Sequence, residues 1–290
     1  MKKRGKNLFL LMLIWGMVIG SCVYCVSGCS KDNRSRDAKQ WTPESGRAPV
    51  AGDEYTNPSD GSVLVWIPGG EFMMGSNDGD NDEKPRHKVR VEGFWFGKYE
   101  VTNRQYGEFL RATGFPEPGY WDDPDYNKPD LPVTAVKFYE ALGYIEWANL
   151  RLPTEAEWEY VASGGHQYEY PTNNGSIDHD NSNFWGVGGK DTWLETPGPV
   201  GTFPPNPYGI YDMAGNVWEW TSSLYYRYPY VETDGREDAQ ARYQRTMRGG
   251  SWQFGTRYCK TTARHHFAMH LRYDYVGLRM AKSGAAPIGR

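Results

Sequence analysis

Cysteine, cationic surplus and long amphipathic periodicity are all scarce in this chain, and each scarcity excludes something. Of its 4 cysteines, Cys22, Cys25 and Cys29 crowd into the N-terminal stretch. Once that stretch is set aside, Cys259 is the sole thiol, which excludes an internal disulfide framework. The formal net charge of −4 and pI of about 5.9 leave no electrostatic footprint for nucleic acid. The chain has no Walker loop, no Gly-x-Gly-x-x-Gly turn and no Gly-x-Ser-x-Gly elbow. Phosphate cradling and α/β-hydrolase chemistry are therefore not signalled.

Large rings and chain-bending residues are abundant instead. Aromatics make up 15% of the sequence, beside 34 Gly and 19 Pro, so loops pinned by rings should dominate over long regular elements. Lys2, Lys3, Arg4 and Lys6 precede an apolar run from Leu8 to Ile19, the pattern of a secretory signal peptide. Val26-Ser-Gly-Cys29 then resembles a bacterial lipobox, with Cys29 as the lipidated first residue. Cys22 is a second candidate, but a solvated run, Ser-Lys-Asp-Asn-Arg-Ser-Arg, follows Cys29, whereas cleavage before Cys22 would leave an apolar start. An uncleaved signal anchor is the alternative, since the apolar length just permits it. The expected organisation is a signal peptide (1–28), a flexible polar tether (29–60), a folded domain (61–282) and a tail (283–290). The expected location is a bacterial cell envelope, with the domain lipid-anchored to a membrane and facing the periplasm or the exterior.

Within the domain, Val63–Ile67, Glu71–Gly75 and Lys88–Glu92 read as short strands. The acidic run Asn77–Glu83 lacks the spaced terminal Glu of an EF-hand and reads as a solvated turn. Thr102 is placed to cap a helix carrying Tyr106, Phe109 and Leu110 and ending near Gly114. A second helix spans 137–149, and Thr154 with Glu157 forms the capping box of a third. The long loop region 164–206 needs an internal staple, and 224–245 is a Tyr- and Arg-rich excursion. His266 and His270 have helical i, i+4 spacing but no evident third metal ligand. Arg257, Lys260, Arg264, His265 and His266 line either an anion-accepting cleft or a charged rim.

The densest stretch is Tyr208-Gly-Ile-Tyr-Asp-Met-Ala-Gly-Asn-Val-Trp-Glu-Trp-Thr221. Asp212 and Glu219, with Asn216 and the bendable Gly215 between them, suit the wrapping of oxygen ligands around a hard cation such as calcium. They equally suit a turn in which Trp218 and Trp220 fill the core while polar groups cap the backbone.

Taken in order, several segments resemble the formylglycine-generating enzyme family, also called the sulfatase-modifying-factor family. They are Ile67-Pro-Gly-Gly-Glu-Phe-Met-Met-Gly-Ser76, Asp82-Glu-Lys-Pro-Arg-His87, Glu100-Val-Thr-Asn103, Arg151-Leu-Pro-Thr-Glu-Ala-Glu-Trp-Glu-Tyr160, the stretch from Asn206 to Thr221, Arg248-Gly-Gly-Ser-Trp252 and Gly277-Leu-Arg279. The resemblance implies a single α/β (α+β) domain of low regular secondary structure, distantly like C-type lectins, with bound calcium. One calcium site falls on Asp212, Gly215, Val217 and Glu219, and another on Asn183, Phe184, Asp191 and Trp193.

The family's enzyme oxidises a substrate cysteine to formylglycine using copper held by two cysteines. By that resemblance Cys259, Ser251 and Trp218 occupy active-site positions. Phe254 stands where the first cysteine belongs, and Gly255 where a histidine belongs. One thiol cannot build a bis-thiolate copper site. The expectation is a membrane-anchored, calcium-stabilised binding or accessory module for an envelope partner or exported protein, without copper and without nucleic acid. The alternative is an oxidoreductase with formylglycine-generating or divergent oxidase activity.

Overall fold

Local capping signals set the three helices. Thr102 accepts a hydrogen bond from the Gln105 backbone N–H, and the Gln105 side chain accepts one from Thr102 N–H. This opens α1 (Asn103–Thr113), which closes at left-handed Gly114. Helix α2 (Phe138–Trp147) buries Phe138, Ala141, Tyr144 and Ile145. Helix α3 (Glu155–Ala162) starts at the Thr154–Glu157 capping box, and every one of its residues is buried, including three glutamates. Such burial is tolerable only because guanidinium groups face those carboxylates. The computed structural model describes residues 40–186, 193 and 195–284.

In chain order the strands are β1 (Glu54–Thr56), β2 (Val63–Ile67), β3 (Gly70–Met74), β4 (His87–Val91), β5 (Phe94–Gly97), β6 (Trp218–Leu224), β7 (Arg245–Arg248), β8 (His265–Phe267), β9 (Val276–Leu278) and β10 (Ala281–Ser283). One antiparallel sheet runs β1-β2-β5-β10, β3 and β4 form a separate hairpin, and a third sheet runs β8-β7-β6-β9 with β6 and β9 parallel. Alternation along the strand sends neighbours to opposite faces. Thus Leu64 and Trp95 join α1 and α2 in one apolar core, while Val65, Ile67, Phe94 and Phe96 meet Trp158 and Val161 of α3 in the other. Among the described residues no helix is long and apolar enough to cross a membrane.

Several expectations change. Part of the expected tether is folded: Trp41 is buried against Trp95 at a ring-centroid distance of 5.1 Å, and its N–H donates to Glu54 O at 2.7 Å. One large ring removes enough apolar surface from water to order an otherwise polar segment. The leader, Cys29 and the rest of the tether lie outside the described residues, as does 285–290 of the tail.

The acidic run is solvated at Asn77, Asp78, Asp80 and Asn81 but docked at its end. Buried Glu83 accepts from Thr262 Oγ1 (2.7 Å), and Asp82 accepts from Tyr225 OH (2.6 Å). His266 lies on β8, whose side chains alternate, so the helical pairing with His270 does not form. The staple expected for 164–206 comes from asparagines. Asn206 Nδ2 donates to Val161 O, and its Oδ1 accepts from the backbone N–H groups of Tyr208 and Ile210.

Candidate functional site

Between Tyr211 and Trp218 the chain turns through three left-handed residues, Asp212 (φ 57°), Gly215 (φ 83°) and Asn216 (φ 60°). Asp and Asn tolerate this conformation better than most residues. At position 215 only glycine fits, because a Cβ would strike the Asn183 backbone carbonyl. The turn thereby lies against Asn183, whose carbonyl accepts from Asn216 N–H at 2.7 Å. Asn216 is fully used: Oδ1 accepts from Gly198 N–H (2.8 Å), and Nδ2 donates to Glu100 Oε2 (2.6 Å).

Sequence reasoning missed Glu100 and Arg279 as parts of this frame. Glu219 is fully buried, and both its oxygens face Arg279, with contacts from 2.6 to 3.0 Å, while Trp158 Nε1 donates a further bond at 2.7 Å. The remaining Arg279 donors reach Gly97 O and Tyr211 O. The Glu219 carboxylate, expected on calcium, is thus occupied by a guanidinium and an indole. The signal for this pairing was the Arg of Gly277-Leu-Arg279, whose partner 60 residues away no local pattern reveals.

Asp212 Oδ2 accepts from Gly201 N–H (2.7 Å), but its Oδ1 is buried without a partner. Asn183 Oδ1 is likewise buried and unpartnered. Glu100, Asp212 and Glu219 are all buried, and Arg279 is the cation that acts on all three. Burial pushes the Asp212 carboxyl up to about 6, with the Glu219 charge adding to the shift and Gly201 N–H and Arg279 opposing it. Burial, then Asp212, raises Glu100 well above the usual carboxylate range.

Among the described residues no three His, Cys, Asp or Glu side chains form a metal cluster. A hard cation here would therefore draw on backbone and amide oxygens besides Asp212. The orphaned oxygen of Asp212, at one expected site, and that of Asn183, at the other, are each of the kind that calcium takes. Phe184 is buried and stacks on His179, and Trp193 packs edge-on against Phe203. Asp191 lies outside the described residues.

The second region surrounds Cys259. The short 3-10 turn Thr256–Cys259 follows Gly255 and directs the thiol inward, where it is fully buried beside Phe184 and Ala214. Burial pushes the thiol up to about 12, so it stays protonated at neutral pH. Phe254 packs edge-on against Trp218 (5.7 Å), Tyr258 (5.2 Å) and Tyr275 (5.1 Å). Trp218 Nε1 is buried with no partner, and Ser251 is buried with its Oγ facing Gln253 N–H. A phenyl ring carries no metal donor, so Cys259 has no second sulfur beside it at position 254, and a two-thiolate copper site does not fit these residues.

Of the two readings of the basic cluster, the anion-accepting cleft is not formed as a unit. Arg264 is bound to Glu155, Arg257 to Asp80 and Lys260 to Glu169. His265 and His266 are held below the ordinary histidine range, chiefly by burial.

Fold and site together define a class: a single mixed α/β domain with few regular elements, a buried acidic turn and a ring-lined thiol. The chain belongs to the sulfatase-modifying factor family, because the profile of the "Sulfatase-modifying factor enzyme 1-like domain" matches residues 50–284. Serine/threonine-protein kinase pkn1 of Chlamydia caviae is 37% identical over 216 residues, covering 66% of this chain and 33% of that protein. The chain thus spans a third of that kinase's length. The formylglycine-generating enzyme of Thermomonospora curvata is 35% identical over 212 residues, covering 54% of this chain and 70% of the enzyme. Among solved structures, PvdO from Pseudomonas aeruginosa superposes with a TM-score of 0.71 at 27% identity, covering 81% of this chain and 100% of PvdO.

The raised Asp212 carboxyl sets a pH dependence. Its folded pKa of about 6 exceeds the ordinary 3.8, so in between the folded protein retains a proton that the unfolded chain has lost. The Asp212 contribution is therefore most favourable below the unfolded pKa and declines as pH rises to the folded one. The loss is at most roughly 3 kcal/mol, at about 1.4 kcal/mol per unit. Urea unfolding with chelator present should show stability falling between about pH 4 and pH 6, and Asp212→Asn should flatten much of that fall. An unchanged slope in the variant would contradict the assignment.

Proposed function

We propose that this chain is a membrane-anchored, calcium-stabilised binding or accessory module that serves the maturation of exported proteins without oxidising cysteine to formylglycine. One observation carries the reading: an immobilised phenyl ring, Phe254, stands where the resemblance puts the first cysteine, and the remaining thiol of Cys259 is buried. By the family resemblance, cysteine oxidation by the copper route needs two thiolates, and position 254 supplies no second sulfur.

The anchoring part rests on the signal-peptide pattern and Cys29, which also set the envelope location. The calcium part rests on Asp212 and Asn183, each with a buried oxygen lacking a donor. Calcium bound there would supply positive charge to a frame in which acids outnumber the guanidinium. It would also tie the 212–217 turn to the loop at Asn183. The likeness to the Thermomonospora curvata enzyme supports the scaffold, while the departures at Phe254 and Gly255 argue against the same chemistry.

Two measurements test this. Purified protein supplied with copper, oxygen and a sulfatase-type cysteine peptide should yield no formylglycine by mass spectrometry; formation that Cys259→Ser abolishes would overturn the reading. Calcium should raise the melting temperature over that in chelator, by the linkage of binding to folding, and Asp212→Ala should remove most of the rise. A melting temperature indifferent to calcium would remove the metal from the account.

A further inference from the structure

Two cavities open on either side of Tyr225 and Tyr226, which line both of them. Their volumes, about 650 and 630 Å³, are in the range of small-ligand sites. Tyr139 from α2 and Tyr243 also wall the first, and Tyr243 is 70% exposed while Tyr139 is 47% exposed. The fold gains little from leaving such rings in water.

The excursion that carries these rings is held firmly. Buried Arg245 donates to the carbonyls of Ser222, Asp238 and Ala241, and its guanidinium lies 4.8 Å from the Phe138 ring centre. Buried Arg236 donates to the carbonyls of Arg227 and Pro229, pairs with Asp234 and stacks on Tyr230 at 4.5 Å. Two buried guanidiniums thus fix a loop from which Tyr226 and Tyr243 face outward while Tyr228 and Tyr230 stay buried. Binding to it would lose little loop entropy.

The charge lining is one-sided. Arg242 and His270 face the first cavity and Lys84 and Arg227 the second, and no carboxylate pairs with Arg227 or Arg242 among the described residues. Asp82, the acid in either lining, is already an acceptor for Tyr225 OH.

We propose that the first of these cavities binds an acidic oligosaccharide, with a sugar ring stacked against the exposed rings of Tyr243 and Tyr139 and a carboxylate met by Arg242. Tyrosine suits this because its face packs on the apolar face of a sugar ring while its hydroxyl stays wet. Arginine suits it because its fork matches a carboxylate. The inference goes beyond the binding-module reading, since it holds whether or not Cys259 reacts or calcium binds.

The test is isothermal titration of the full chain with a short oligogalacturonate, a neutral maltooligosaccharide of equal length, and oligoglutamate as an acidic peptide. The oligogalacturonate should bind, weakening as salt rises, and the maltooligosaccharide should bind at least about tenfold more weakly. Tyr243→Ala and Arg242→Gln should each weaken oligogalacturonate binding by about tenfold. Both positions are exposed, so an unchanged melting temperature will show that the variants are folded. Absence of oligogalacturonate binding, equal binding of the neutral sugar or of oligoglutamate, or full affinity in both variants would overturn the proposal.

Discussion

Every deeply buried carboxylate on helix α3 and strand β6 that faces the core is met by a guanidinium, and the rest of the structure depends on that pairing. Glu155 binds Arg264, Glu159 binds Arg248 and Glu219 binds Arg279, all six side chains being buried. A charge left alone there would cost several kcal/mol. The partners lie 109, 89 and 60 residues apart, so each pair fastens distant segments of a chain with few long elements. Arginine does this better than lysine because its spare donors also satisfy loop carbonyls. Arg248 reaches those of Thr261, Thr262 and Ala263, and Arg264 those of Asp82 and Tyr226.

This pairing changes the meaning of the most recognisable motifs. In Arg151-Leu-Pro-Thr-Glu-Ala-Glu-Trp-Glu-Tyr160 the sequence alone gives a role to one acid, Glu157 of the capping box. In the fold Glu157 caps α3 and binds Arg151, while Glu155 and Glu159 answer arginines from the later third of the chain. Glu219 likewise serves Arg279. The family's sequence signature therefore marks a way of building a loop-rich scaffold.

What the sequence made legible was local. The N-cap at Thr102, the capping box at Thr154, the stop at Gly114 and the strand Val63–Ile67 all involve residues within a few positions of each other, and they were found where expected. Trp41 was not legible, because its burial depends on Trp95 in a distant strand. Nor was the docking of Glu83 and Asp82, which rests on Thr262 and Tyr225. The substitution at Phe254 could be read by resemblance, but the rings of Trp218, Tyr258 and Tyr275 around it come from three separate segments. The acidic turn was suspected from Asp212 and Glu219. Their different fates, one oxygen unpartnered in the first and both engaged in the second, required Arg279 to be placed.

The central claim is that the signature charges build the scaffold, and Glu219 with Arg279 tests it most directly. A double-mutant cycle of Glu219→Leu and Arg279→Leu, followed by urea unfolding in chelator, measures their coupling. Each single change should cost about 3–5 kcal/mol by stranding a buried charge. The double change should cost well under the sum, with a coupling of about 2 kcal/mol or more. Additive losses, or single variants as stable as the parent, would contradict the account.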